Sequence, residues 1–118
     1  MSSFLNTQGV SYIDMNFKMN GFCPLGGKPY TNNFKVKFFP GSTIPDYCDI
    51  ENEIKKREDR ALNKYNPHYR EELVIEDAVE FVYNLLMEYG PKKLTVISEV
   101  FDAAHFPVRV VKESDDYL

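Results

Sequence analysis

The stretch "GFCPLGGKPYTNN", residues 21–33, sets Cys23 in a run of prolines and glycines between two alternating apolar segments. A cysteine is a nucleophile only as its thiolate, so basic neighbours or backbone N–H groups must lower its pKa before it matters near neutrality. Pro24 follows the thiol, and the turn Gly26-Gly27-Lys28-Pro29 comes next. The glycines allow close approach of backbone to a ligand, the prolines stiffen the loop, and Lys28 brings a positive charge. The same residues also suit a small buried hydrophobe lining a strand end. Taken locally, both readings of Cys23 stay open. Cys48, near a helix start, reads as packing, with a low-pKa thiol as the alternative.

The elements that must position these residues follow from the period of the apolar side chains. "YIDMNFKM" alternates Ile13, Met15, Phe17 and Met19 against Asp14, Asn16 and Lys18, as in a half-buried strand. "NFKVKFFP" does the same with Phe34, Val36 and Phe38 against Lys35 and Lys37, and Pro40, Gly41 and Pro45 then end strand character. "DYCDIENEIKKREDRALNKY" switches to helical spacing through Ile50, Ile54, Ala61 and Tyr65, with acidic residues crowded at its start. Its run Lys55-Lys56-Arg57 reads most simply as a solvated face. "NPHY" breaks the chain and makes His68 a loop residue. A second helix runs from about Glu72 to Tyr89 on a wide apolar stripe, closed by Gly90-Pro91. "KLTVISEVF" and "FPVRVVK" are two further strands joined by a short turn through Asp102 to His105.

The predicted fold class is therefore α+β with the order ββααββ. One domain spans residues 1–118, with flexible ends at 1–9 and 114–118, and two helices cover one face of an antiparallel four-stranded sheet. Such a sheet has two open edges, and closing into a ring with copies of itself removes them, so a homo-oligomer is expected.

Composition narrows the class. Of 118 residues, 43% are hydrophobic and 27% charged, and nine Phe and eight Tyr argue against disorder. No apolar run approaches the ~20 residues that span a membrane, and "MSSFLNTQGV" lacks the basic and apolar regions of a signal peptide. The two cysteines show no metal-ligand spacing and read as reduced, which predicts a cytoplasmic protein. A net charge of −4 gives no electrostatic footprint for direct nucleic-acid binding, although a nucleobase-sized ligand remains compatible.

"GFCPLGGKPYTNNFKVKFFP" resembles the Cys-Pro-x-Thr-Gly-Gln-Pro-Asp segment and following strand of the nitrile reductases of queuosine biosynthesis, a tRNA-modification pathway. Cys23, Pro24, Gly27 and Pro29 fall on that pattern, and Ile75-Glu76-Asp77-Ala78-Val79 resembles the family's His-Glu-Asp-x-Val. The resemblance covers about residues 11–112 and rests on these two places. It implies the tunnelling fold, ββααββ units assembled into oligomeric barrels with interface active sites. It also implies an oxidoreductase that converts 7-cyano-7-deazaguanine to 7-aminomethyl-7-deazaguanine with NADPH. Cys23 would add to the nitrile carbon to form a thioimide, and Glu76 would accept hydrogen bonds from the guanine-like edge. The plain reading of Glu76 is a first-turn carboxylate stabilised by the helix dipole.

Several positions depart from the family. Its proton-handling aspartate, seven residues after the cysteine, is Tyr30 here, a phenol able to donate a proton. Its histidine before the glutamate is Ile75. Of its Lys-rich NADPH segment only Lys55 fits well, and its Arg-Gly-Gly becomes Ala103-Ala104-His105. On that turn His105 is either a replacement acid or base, or a solvated side chain. Three other readings stay in view. Archaeosine synthases share the fold and cysteine, lack the NADPH segment, and add ammonia to the nitrile on a tRNA. A non-catalytic deazapurine- or pterin-binding oligomer would keep Glu76 without the proton relay. A pterin enzyme with a three-histidine metal site is not supplied by His68 and His105 alone.

Overall fold

A computed structural model describes residues 2–23, 28–62 and 72–115. Eight elements follow in order: β1 (Ser3–Leu5), β2 (Ile13–Cys23), β3 (Lys28–Phe39), β4 (Thr43–Pro45), α1 (Tyr47–Leu62), α2 (Ile75–Met87), β5 (Lys93–Val100) and β6 (Val108–Glu113). The four long strands form an antiparallel sheet in the order β2-β3-β5-β6. Residues 24–27 and His68 lie outside the described residues.

The period-two pattern decides which face is buried. Along β3, Tyr30, Asn32, Phe34, Val36 and Phe38 point into the core while Lys35 and Lys37 stay in water. Leu94, Val96, Ser98 and Val100 do the same on β5. Ile50, Ile54 and Ala61 of α1 and Ala78, Val82 and Leu86 of α2 meet this face, so both helices lie on one side of the sheet. Gly90, at a φ of 66°, turns the chain out of α2 in the left-handed region that glycine enters without a Cβ penalty. No helix among the described residues is long and apolar enough to cross a membrane.

Two expectations about the ends are corrected. Ser3–Leu5, expected to be loose, pairs with Thr43–Pro45 in a second, two-stranded sheet. The Ser2 amide also donates to Asp49 Oδ2 at 2.8 Å, and that bond holds the Asp49 carboxyl below its ordinary pKa. Strand character resumes after Pro40 and Gly41 in Thr43–Pro45 and stops at Pro45, where a proline fits the end of a short edge strand. At the other end, the Ser114 hydroxyl accepts from the Leu94 amide at 2.8 Å, so that residue too is tied to the sheet.

Inside the core one polar pair is fully enclosed. Ser98 Oγ donates to Asn32 Oδ1 at 2.9 Å, and Asn32 Nδ2 donates to the Met19 carbonyl at 3.1 Å, with both residues at 0% exposure. Ser98→Ala would strip the buried Asn32 oxygen of its donor. A loss of about 1–2 kcal/mol is expected from the urea midpoint, because an orphaned buried acceptor forfeits its solvation. A neutral result would show that the pair is dispensable.

Candidate active site

The site forms where one end of the sheet meets the start of α2. β2 and β3 pair along their whole length, from Ile13↔Phe38 to Cys23↔Lys28, so the hairpin register sets Cys23 directly opposite Lys28. Beside it, Phe22 and Leu73 exchange two backbone hydrogen bonds of 3.2 Å. This bridge joins the β2 edge to the chain just before α2. It brings the first turn of that helix, with Ile75 and Glu76, to the tip of the hairpin.

The turn between β5 and β6 closes the other side. The resulting cavity of about 620 Å³ is lined by Lys28, Pro29 and Tyr30 of β3, by Val74, Ile75 and Glu76, and by the segment from Asp102 to His105 with Val108. That volume lies within the ~300–1,000 Å³ range of small-molecule pockets, and apolar walls with a few polar heads are their usual chemistry. Of the residues picked from sequence, Tyr30, Glu76 and His105 are brought together here. Cys23 ends the strand facing Lys28.

Each polar group has its own setting. Glu76 is exposed in the first turn of α2, where the helix dipole favours its charge. His105 is exposed too, with Nδ1 2.7 Å from the Phe106 carbonyl; donating there leaves Nε2 as the acceptor of a neutral ring. Tyr30 is 3% exposed, and its hydroxyl donates to the Leu73 carbonyl at 2.5 Å. The phenol expected as a proton donor is thus bound into the frame of the site. Period-two alternation, carried back from Phe34 through Asn32, puts Tyr30 on the core face, a signal already present in the sequence.

Asp102 is the lining residue that sequence reasoning did not single out. Its Oδ1 accepts the Thr31 N–H at 2.9 Å, and this backbone bond holds its carboxyl below the usual value against a small opposing effect of burial. An acidic residue in a hairpin turn gives no sign of what it faces until the register is known.

Lys55 is placed elsewhere. It lines a separate cavity of about 650 Å³ between α1 and β2, whose apolar residues include Ile13, Met15, Phe17, Ile50 and Ile54. Its ammonium pairs with Glu51 at 3.0 Å and Lys56 pairs with Glu53 at 3.1 Å, as on a solvated helix face. Tested against NADPH, the described residues of this groove do not fit: acidic Asp14, Glu51 and Glu58 outnumber Lys18 and Lys55 in its lining, and Lys55 is already paired with Glu51, which is poor company for a phosphate. Among the described residues no group of three His, Cys, Asp or Glu side chains could hold a metal ion.

No family model matches the chain, and no curated protein matches it. One solved structure similar to it is the crystal structure of the archaeosine synthase QueF-Like in the apo form, with a TM-score of 0.67 and 19% sequence identity, covering 89% of this chain and 94% of that one. At that identity the likeness is one of fold. The chain has the tunnelling fold, an α+β unit with two helices on an antiparallel sheet.

Proposed function

We propose that this chain is a nitrile-modifying enzyme whose Cys23 thiol captures the nitrile carbon of 7-cyano-7-deazaguanine as a thioimide. The observation that carries the reading is the cavity beside the Cys23 strand end, with the exposed Glu76 carboxylate at its wall. A planar base with adjacent N–H donors matches a carboxylate, whose two oxygens accept in one plane. The fold likeness to an archaeosine synthase supports the same class of ligand.

Two fates are open to a thioimide. NADPH-dependent reduction to 7-aminomethyl-7-deazaguanine would need a cofactor site, and Lys55, the residue expected in it, stands in a different groove beside Glu51. Addition of ammonia needs only that the small nucleophile reach the thioimide. The placement of Lys55 favours this second fate. The open edges of β2 and β6 run in opposite senses, so copies of the chain can close a ring with antiparallel pairing throughout, and we assign the protein to such a homo-oligomer.

Glu76→Ala is expected to weaken binding of the base on the order of 100-fold, about 2.8 kcal/mol, read by isothermal titration. Unchanged affinity would remove Glu76 from the site.

The test of the whole reading is intact mass after incubation with 7-cyano-7-deazaguanine. Thiol addition expels nothing, so the gain should equal the ligand's full mass. Adding NADPH or ammonium then tells which co-reactant discharges the adduct. Binding without any adduct would favour a non-catalytic carrier of the base, and neither binding nor adduct would leave fold as the only likeness.

A further inference from the structure

We propose that the cleft between the two helices, at the end of α2 remote from Glu76, is a binding site for an alkylammonium ion. α1 contributes Asp49, Asn52, Glu53 and Lys56 to it, and α2 with its cap residue contributes Phe81, Asn84, Leu85 and Glu88. Both sets follow the i, i+3, i+4, i+7 spacing that lines up one helical face, so two such faces look at each other. They enclose a cavity of about 530 Å³, and Tyr89 completes its lining. It shares no residue with the cavity that holds Glu76 and Asp102, so the inference is independent of the reaction proposed above.

Charge decides what this cleft can hold. The carboxylates of Asp49, Glu53 and Glu88 stand against the ammonium of Lys56, and Glu53 already pairs with that ammonium at 3.1 Å. α2 carries no basic side chain in its last turn, so the negative end of its dipole adds to the field. Tyr89 is an independent mark of a ligand. It is 5% exposed and lines the cavity, yet its hydroxyl has no hydrogen-bond partner among the described residues. A buried hydroxyl left unmet costs stability that a donor arriving in the cavity would restore. Burial, and then the charges of Asp49, Asp46, Glu88 and Glu53, hold the phenol above its ordinary pKa of 10.0. The fields of four carboxylates therefore meet at one neutral oxygen with open lone pairs.

The lining also separates an organic cation from a metal ion. Among the described residues no three acidic side chains are placed to hold a metal. An ammonium asks for less, since each of its N–H groups needs one acceptor, and the Tyr89 hydroxyl, the Glu88 carboxylate and the amide oxygens of Asn52 and Asn84 are of that kind. Phe81 and Leu85 offer apolar surface to the alkyl chain that carries the charge.

The probe is butane-1,4-diamine, a dication near neutral pH, titrated calorimetrically into the parent, Tyr89→Phe, Glu88→Gln and Glu113→Gln proteins. Low salt keeps the surface charges unscreened, and butan-1-ol serves as the uncharged control. Phenylalanine retains the buried ring, so the core should be unchanged. The diamine is expected to bind the parent and butan-1-ol to give no heat of binding. Kd should rise about tenfold in Tyr89→Phe and about threefold in Glu88→Gln. It should stay the same in Glu113→Gln, which removes an equal charge from β6. A Kd within about twofold of the parent in Tyr89→Phe would overturn the proposal, because the phenol would then not be a ligand. Equal weakening by Glu113→Gln would do so too, since overall charge would be the attractant. Butan-1-ol binding as tightly as the diamine would reduce the cleft to an apolar crevice. No binding to the parent would end the proposal and leave the nitrile chemistry standing.

Discussion

Cys23→Ala is expected to show no ligand-mass adduct at any incubation time, while Cys48→Ala forms it at the parental rate. The contrast follows from where the two thiols stand. Cys48 is exposed in the first turn of α1, whose residues line none of the cavity formed by Lys28, Glu76 and Asp102. It is a fair control for chance reaction with an electrophile. Cys23 ends β2 at the register position paired with Lys28, at the strand end beside that cavity, and the thiolate is the form that attacks. Alanine keeps the backbone N–H and carbonyl that pair this position with β3, so the hairpin should survive and loss of the adduct will report chemistry. An adduct that persists on Cys23→Ala would remove Cys23 as the residue that captures the nitrile.

The largest effect on stability is expected at Gly21. It pairs directly with Tyr30 in the β2–β3 ladder. A Cβ built there would land on the Tyr30 ring at Cζ and on its hydroxyl, and would come within 2.7 Å of the Leu73 carbonyl. Backbone oxygen cannot swing aside as a side-chain tip can. Gly21→Ala must therefore push Tyr30 out of the core, breaking its bond to Leu73 and straining the Phe22–Leu73 bridge. Overpacking of this kind costs about 1–3 kcal/mol and the lost buried hydrogen bond about 1 more, so a total near 3 kcal/mol is expected from urea unfolding. With Tyr30→Ala in the background, the Gly21→Ala change should cost much less, and the two single costs should fail to add by more than about 1 kcal/mol. Additive costs would show that the close approach is not what Gly21 is for.

Most of the fold was legible because its physics is local. The apolar alternation of β2 and β3 and the stripe of α2 each name a buried face without reference to the rest of the chain. The pairing of Ser3–Leu5 with Thr43–Pro45 was not legible, since three residues are too few to show a period. At the site the division is similar. Glu76 enters through its resemblance to the His-Glu-Asp-x-Val segment and His105 through its place on a hairpin turn, and the cavity holds both. The alternation in NFKVKFFP leaves Tyr30 outside the strand, whereas β3 begins at Lys28 and turns that phenol inward. The fixing of Asp102 at the cavity depends on a hydrogen bond to a residue 71 positions away, which no local pattern encodes.

The Phe22–Leu73 bridge also says something about when the site exists. It closes a length of chain of roughly fifty residues, and the entropy of closing such a loop grows to about 3.5 kcal/mol. Two backbone hydrogen bonds contribute only about 2 kcal/mol and cannot offset that alone. The loop must already have been drawn in by the helices packing on the sheet, with Ile54, Val82 and Leu86 among the residues that hold them there. The hairpin tip and the first turn of α2 are thus not a local motif that could be lifted out or formed early. They meet only in a chain whose core has condensed, so damage to side chains far from any ligand will be felt first where the ligand binds.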